Sequence, residues 1–285
     1  MNLCVSSGIN SVLPDHTPLP FQAGIDLAKQ VGFEEFDVDL PSSLMLREDW
    51  QAVLADREDA MAKAGISIRY VHLPFDYPRA GSEEDWARFS LASMRAIERA
   101  AAWKADCAAI HPRCFMTPDY DADEEYAAAV EFLRPYCEHA AKCGLTLGIE
   151  IMRGAGASAP ARIRRFATDT DVLIRLADEM GTSICWDTGH ANISLQAQGK
   201  SIRKVGKRLK MVHIDDNFAE DDVHLAPFLG RIAWEEVMRA LKEIGYAGSM
   251  NLEVSCNRLP EPLRAAYAGY MAAAGRYLIG LFEKA

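Results

Sequence analysis

Short apolar runs alternate with longer stretches of helical periodicity along the whole chain. Runs over 3–7, 34–40, 66–73, 107–111, 145–151, 183–187, 209–214 and 249–255 are short and rich in Val, Ile and Leu, which predicts strands buried on both faces. Pro41, Pro74 and Pro112 stop three of them. Between them the period changes to 3.6. Helices are expected over 20–30, through Trp50, Val53, Leu54, Met61 and Ala62, from Ser82, and from the acidic DADEE to about 143. Others run through Leu173, Leu176 and Ala177, briefly after 187, through Trp234, Val237, Met238 and Leu241, and over 262–281. Gly32, Gly65, Gly144, Gly181 and Gly245 sit where helix C-caps belong.

Eight strand–helix units with no linker and no break in composition predict an α/β protein, one (β/α)8 TIM barrel filling residues 1–285. A doubly wound sheet would need a glycine-rich phosphate loop after the first strand, and SSGIN is a poor match.

Composition narrows the partners more than the fold. Hydrophobic residues make up 49% and charged residues 25%, as in ordinary globular proteins with ample core. No apolar run approaches the ~20 residues of a membrane span. Met1 leads into the polar SSGINS without a signal peptide, so a cytoplasmic protein is expected. The seven cysteines include no CxxC pair and read as reduced thiols, with Cys114 and Cys256 near strand ends. A net charge of −10 argues against nucleic acid as a partner.

The candidate chemistry lies at the strand ends. His72, His111, Glu150, Asp187, His213 and Glu253 close the third to the eighth predicted strands. In a barrel these ends converge on the face where active sites lie. Taken singly, each has a plain role as a core-edge histidine, an ion-pair partner or, for Asp187, a helix cap, and His190 could be a surface residue. Six consecutive strands ending in His, Asp or Glu point instead to a divalent cation. The loop after the seventh strand adds Asp222 and His224. Arg113, Arg153, Arg162, Arg164 and Arg165 follow strand ends on the same face, where they could bind an anionic group of a substrate or simply be solvated. The basic stretch KSIRKVGKRLK (200–210) leads into a strand and belongs to the opposite face as a solvated surface.

DTGH (187–190), HIDDN (213–217), the D-x-H of Asp222 and His224, and the strand-borne Glu150 and Glu253 resemble the xylose isomerase-like barrel superfamily over essentially the whole chain. Its members include sugar and sugar-phosphate isomerases and epimerases, inosose dehydratases and type IV apurinic endonucleases. In the sugar-handling members, the resemblance implies one Mn²⁺-, Mg²⁺- or Co²⁺-type ion on Glu150, Asp187, His213 and Glu253, with His190 touching substrate. In the endonuclease branch it implies up to three zinc ions, extending to His72, His111, His190, Asp222 and His224.

Several positions depart from these patterns. Phe228 and Ala233 replace a Gly and an Asp of the sugar-handling motif after His224. Ala219 and Gly156 stand where ketose 3-epimerases carry an Arg and a Glu. DTGHAN lacks the endonuclease cysteine. The expected activity is isomerisation or epimerisation of a sugar, sugar phosphate or related polyol ketone through an enediolate, with Glu150 and Glu253 as acid and base. An abasic-site phosphodiesterase, an inosose-type dehydratase and a non-catalytic sugar-binding barrel are the alternatives. The expected partner is a carbohydrate, without membrane contact; homo-oligomerisation is left open.

Overall fold

The computed structural model describes residues 1–78, 81–113, 119–156 and 165–285. Eight parallel strands alternate with helices: β1 (Leu3–Ser6), β2 (Glu35–Asp39), β3 (Ser67–His72), β4 (Cys107–Ile110), β5 (Leu147–Glu150), β6 (Ser183–Asp187), β7 (Leu209–His213) and β8 (Met250–Leu252). The helices are α1 (Phe21–Val31), α2 (Ser42–Met45), α3 (Trp50–Ala64), α4 (Glu83–Ala102), α5 (Ala122–Cys143), α6 (Thr170–Met180), α7 (Thr188–Ile193), α8 (Gln198–Val205), α9 (Trp234–Glu243) and α10 (Glu261–Lys284). Neighbouring strands pair in sequence order, and β8 pairs with β1. Ile214 closes the ring: its N–H donates to Asn251 O at 2.8 Å and its carbonyl accepts from Glu253 N at 3.1 Å. The fold is the (β/α)8 barrel expected from the alternation.

The elements end for the reasons read from the sequence. Gly32, Gly65, Gly144 and Gly181 cap their helices in the left-handed region, where a glycine carries no Cβ penalty. Ser82 and Asp85 form a reciprocal capping box at the start of α4. Strands are shorter than the apolar runs predict, because the runs continue into connections that are buried but unpaired. Two short helices, α2 and α8, were not foreseen as such. Most of the basic stretch lies on α8 and the turn after it, where Arg203 pairs with Glu236 and Glu243, Lys204 with Asp171, and Arg208 with Asp178.

One core lies between the sheet and the helices, and includes Phe36, Val71, Trp186 and Leu241. A separate small cluster fills the inside of the barrel: Cys4, Tyr70, Cys107, Ala109, Cys185 and Met211. The strands are not in uniform register. β3 gains a residue on β2 between the Phe36–Ile68 and Asp37–Tyr70 pairs, and β7 gains one on β6 between Ile184–Leu209 and Cys185–Met211. Among the described residues no helix is long and apolar enough to cross a membrane. The six described cysteines are unpaired thiols.

Candidate metal centre

The six expected strand-end groups meet. His72, Glu150, Asp187 and His213 are the last residues of their strands, and His111 and Glu253 follow theirs directly. One donor atom each from Glu150, Asp187, His213 and Glu253 lies within 4.8 Å of the others. His213 Nδ1 is 3.2 Å from Glu253 Oε2, 3.4 Å from Glu150 Oε2 and 3.9 Å from Asp187 Oδ2. His72 Nε2 and His111 Nε2 approach Glu150 Oε2 at 3.4 and 3.2 Å.

Among the described residues several of these atoms find no hydrogen-bond partner. Glu150 Oε2, Asp187 Oδ2 and His213 Nδ1 are buried without a hydrogen bond. Buried polar groups are ordinarily paired, and an orphaned charge is expensive. A cation among them would satisfy all three, and carboxylates with imidazole are ligands suited to Mn²⁺, Mg²⁺, Co²⁺ or Zn²⁺. The residues therefore fit the expected ion. Asp187 Oδ1 accepts from His190 N at 2.6 Å and caps α7, while Oδ2 accepts no hydrogen bond.

The imidazoles are oriented from behind. His72 Nδ1 bonds to Leu73 O at 2.8 Å, His190 Nδ1 to Ile151 O at 2.9 Å, and His224 Nδ1 to Glu253 O at 2.8 Å. A carbonyl only accepts, so each Nδ1 carries the proton and each Nε2 keeps its lone pair when the ring is neutral. His190 Nε2 and His224 Nε2 both lie 3.3 Å from Asp222, forming a second group with donor atoms within 4.8 Å of one another. His213 is turned the other way. Its Nε2 faces Asp37 Oδ2 at 3.3 Å without forming a hydrogen bond, and Asp37 accepts from Asn251 Nδ2 at 2.9 Å, which places an acid behind the imidazole.

The crowding shows in the acidities. Burial, with Asp215 adding to it, pushes Asp187 up to about 7, and burial lifts Asp215 to about 6. Burial also pulls His111 down to about 4 despite Glu150 beside it. Burial would raise Glu150 too, but His111 and His213 hold its carboxyl well below the usual range.

The arginines spread out. Arg153 Nε lies 3.5 Å from Asp222. The Arg113 guanidinium stacks 5.2 Å from the Trp86 ring centroid and lines a different cavity, between α4 and α5. Arg165 follows the fifth-strand loop, its carbonyl accepting from Thr168 Oγ1. Arg162, Arg164 and Cys114 lie outside the described residues.

Asp37, Asn251 and Asp215 were missed in the sequence reading. Glu35, Asp37 and Asp39 alternate along β2, and that period of two was the available signal for an inward acid ladder. Asp215 is fully buried with both oxygens unpartnered, and with His224 and Glu253 it forms another close donor group. Gly189 leaves room for it, because a Cβ there would collide with Asp215 Oδ1. Gly156 has φ +81°, and a Cβ there would collide with the Glu220 carbonyl oxygen, so a glutamate at that position would require the backbone to shift.

A barrel with a His–carboxylate cluster at its carboxyl mouth belongs to a class whose chemistry sits at the strand ends. The chain belongs to the xylose isomerase-like TIM barrel family, whose model matches residues 25–272. A D-psicose 3-epimerase of Enterocloster bolteae is 30% identical over 142 residues, 48% of this chain and 43% of that one. The match thus spans less than half of that epimerase. An uncharacterized protein of Sinorhizobium fredii is 24% identical over 82% of this chain and 81% of its own length. Among solved structures, a D-tagatose 3-epimerase-like protein superposes with a TM-score of 0.74 at 21% identity, covering 100% of this chain and 99% of the other. The 3-keto-D-glucoside 4-epimerase YcjR from E. coli superposes at 0.74 and 16% identity, covering 98% and 99%. At such identities the likeness concerns the fold alone.

Proposed function

We propose that this protein is a divalent-metal-dependent epimerase or isomerase of a sugar or related polyol ketone. The observation that carries the reading is the convergence of Glu150, Asp187, His213 and Glu253, the first three of them with buried atoms that make no hydrogen bond. It stands beside a family that includes a D-psicose 3-epimerase relative. Asp187 and His213 serve as ligands. An ion held there supplies Lewis acidity to a carbonyl and its neighbouring hydroxyl.

The two glutamates divide the remaining work. Glu150 is 1% exposed and ringed by His72, His111, His190 and His213, which suits a ligand held ionised. The Glu253 side chain is 22% exposed and lines the cavity beside the cluster. Burial raises its pKa above the ordinary carboxylate value, which suits a proton donor. Glu150, held ionised, removes the proton next to the carbonyl, Glu253 delivers a proton to the opposite face from its own strand, exchange with solvent resets the pair, and His190 orients a substrate oxygen. Gly156 and Ala219 take the places of two ketose 3-epimerase residues, so the substrate is held differently at those two points.

The test is incubation of metal-loaded protein with ketoses in deuterated water. Deuterium should appear at the carbon next to the carbonyl, together with a new epimer or isomer. Absence of both from every ketose would overturn the proposal. The His190, Asp222 and His224 group supports a second reading, a multi-ion phosphodiesterase acting on abasic DNA. Incision of an abasic duplex by metal-loaded protein would support it, and intact duplex removes it.

A further inference from the structure

A cavity of about 450 Å³ opens beside the cluster, among residues at the ends of β1, β2, β3 and β8 and the loop that carries His224. His72, His224 and Glu253 are the members of the cluster that line it. Much of the remaining wall is apolar, and two of its polar side chains, Ser6 and Asn257, are already engaged. Asn257 Oδ1 accepts from Ser11 N and Val12 N, while its Nδ2 donates to Gly8 O and Ser11 Oγ. Ser6 Oγ donates to Asp39 and accepts from Gly8 N.

Asp39 differs from these. Its Oδ2 collects the hydroxyl protons of Ser6 and Ser7 at 3.0 and 3.3 Å, and its own N–H donates to Ser7 Oγ at 3.1 Å. The carboxylate is therefore fixed in place. Its Oδ1 accepts from no described residue, yet it is not among the unpartnered atoms sealed from solvent. The arginine on the cavity wall, Arg258, is exposed.

We propose that Asp39 reads the end of the substrate remote from the cluster, its free Oδ1 accepting the proton of a hydroxyl on the sugar chain. A carboxylate offers acceptors only, so it selects a hydroxyl donor. A carboxylate fixed within hydrogen-bond reach repels a phosphate placed at the same point, although His72 and Arg57 temper its charge. The site consequently takes a neutral polyol ketone and turns away the corresponding phosphate ester. This inference rests on the epimerase reading of the cluster, and it adds a specificity residue that the motif positions do not contain.

The experiment compares wild-type protein with Asp39→Ala, Asp39→Asn and Arg258→Ala, each loaded with Mn²⁺ and its bound manganese measured. Turnover and calorimetric binding are read for D-psicose, D-fructose and D-tagatose, for D-fructose 6-phosphate, and for 5-deoxy and 6-deoxy analogues of whichever ketose is best. Wild type should prefer the neutral ketose over the phosphate by about tenfold or more. Asp39→Ala should weaken the parent ketose by about tenfold or more, leave one deoxy analogue unaffected and keep its manganese. Asp39→Asn should relax the discrimination against the phosphate.

An equal loss for the parent and all deoxy analogues, or loss of manganese, would make Asp39 merely structural and overturn the proposal. Equal or better use of the phosphate, abolished by Arg258→Ala, would overturn it in favour of an anion site. If ketoses are turned over but the Asp39 variants match wild type, only the role of Asp39 falls. If wild type neither binds nor turns over any ketose, the epimerase reading falls and this inference with it.

Discussion

Glu35 and Glu150 are buried glutamates at opposite ends of one barrel interior, and their surroundings differ in kind. Glu35, at the amino end, is 4% exposed and paired with protein: Asn2 Nδ2 donates to Oε1 at 2.8 Å and Ser249 Oγ donates to Oε2. Glu150, at the carboxyl end, is 1% exposed, and its Oε2 receives no hydrogen bond. Between them lies the small layer of thiols, Tyr70 and Met211. A buried acid with its donors supplied is an element of stability. A buried acid left without them is costly unless another group completes it, and under the proposed function that partner is a cation.

The sharpest way to break this contrast is at Glu150. Glu150→Gln should lower exchange activity by about 10²–10⁴-fold and abolish the rise in melting temperature that Mn²⁺ gives wild type. That rise corresponds to about 2.7 kcal/mol at a hundredfold excess over Kd. A variant still stabilised by manganese would place the ion elsewhere. Next comes Asp37→Asn, which leaves every proposed ligand intact but removes the anion behind His213. It should weaken metal binding by about 10–100-fold in calorimetric titration, and unchanged affinity would strip Asp37 of that role.

Glu35→Ala should behave in the opposite way. It should cost about 1–3 kcal/mol in denaturant unfolding by orphaning its donors, with manganese binding unchanged. The smallest effect expected is the pH dependence of the apo cluster. Asp187 and Asp215 are raised from 3.8 to about 7 and about 6, so the folded state favours their neutral forms. Their contribution to stability without metal should fall as pH rises from about 4 toward 7, the reverse of a salt-bridged carboxylate, with His111, held down to about 4, offsetting part of it. Metal affinity should rise over the upper part of that window, with protons released on binding. Calorimetry in buffers of different ionisation enthalpy measures that release, and none would show that the carboxylates are already ionised.

Legibility in the sequence followed the same division. The strand-end groups could be read because Val, Ile and Leu runs stop at His, Asp or Glu, and the helix ends because glycine marks the left-handed caps. Groups inside strands were harder to see. Asp37 sits in the middle of EEFDVDL, where a charged residue reads as the solvent side of an ordinary strand, and only closure of the barrel makes that side an interior. Asp215 was hidden by Asp216 beside it. The two look alike in sequence, but Asp216 is spent on Phe228 N, Ile232 N and the Trp234 indole, while Asp215 is unpartnered. The fate of an arginine depends on its rotamer and neighbours, so Arg113 over Trp86 was beyond any pattern.

The two register shifts have a consequence for how this barrel tolerates change. By strict alternation Ile68, Tyr70 and His72 share a face, as do Leu209, Met211 and His213. Yet Ile68 and Leu209 pack outward against the helices, whereas Tyr70 and Met211 fill the interior. The extra residues, Arg69 and Lys210, reverse the parity of β3 and β7 partway along, and that reversal lets outward-starting strands end in inward histidines. Regular pairing of either strand at its present length would leave all the chemistry in the chain and still rotate an imidazole out of the cluster. Both shifts lie toward the far end of the barrel, on the floor opposite the cluster. For this protein, counting residues on that floor is as much a condition of having a site as the identity of the ligands above it.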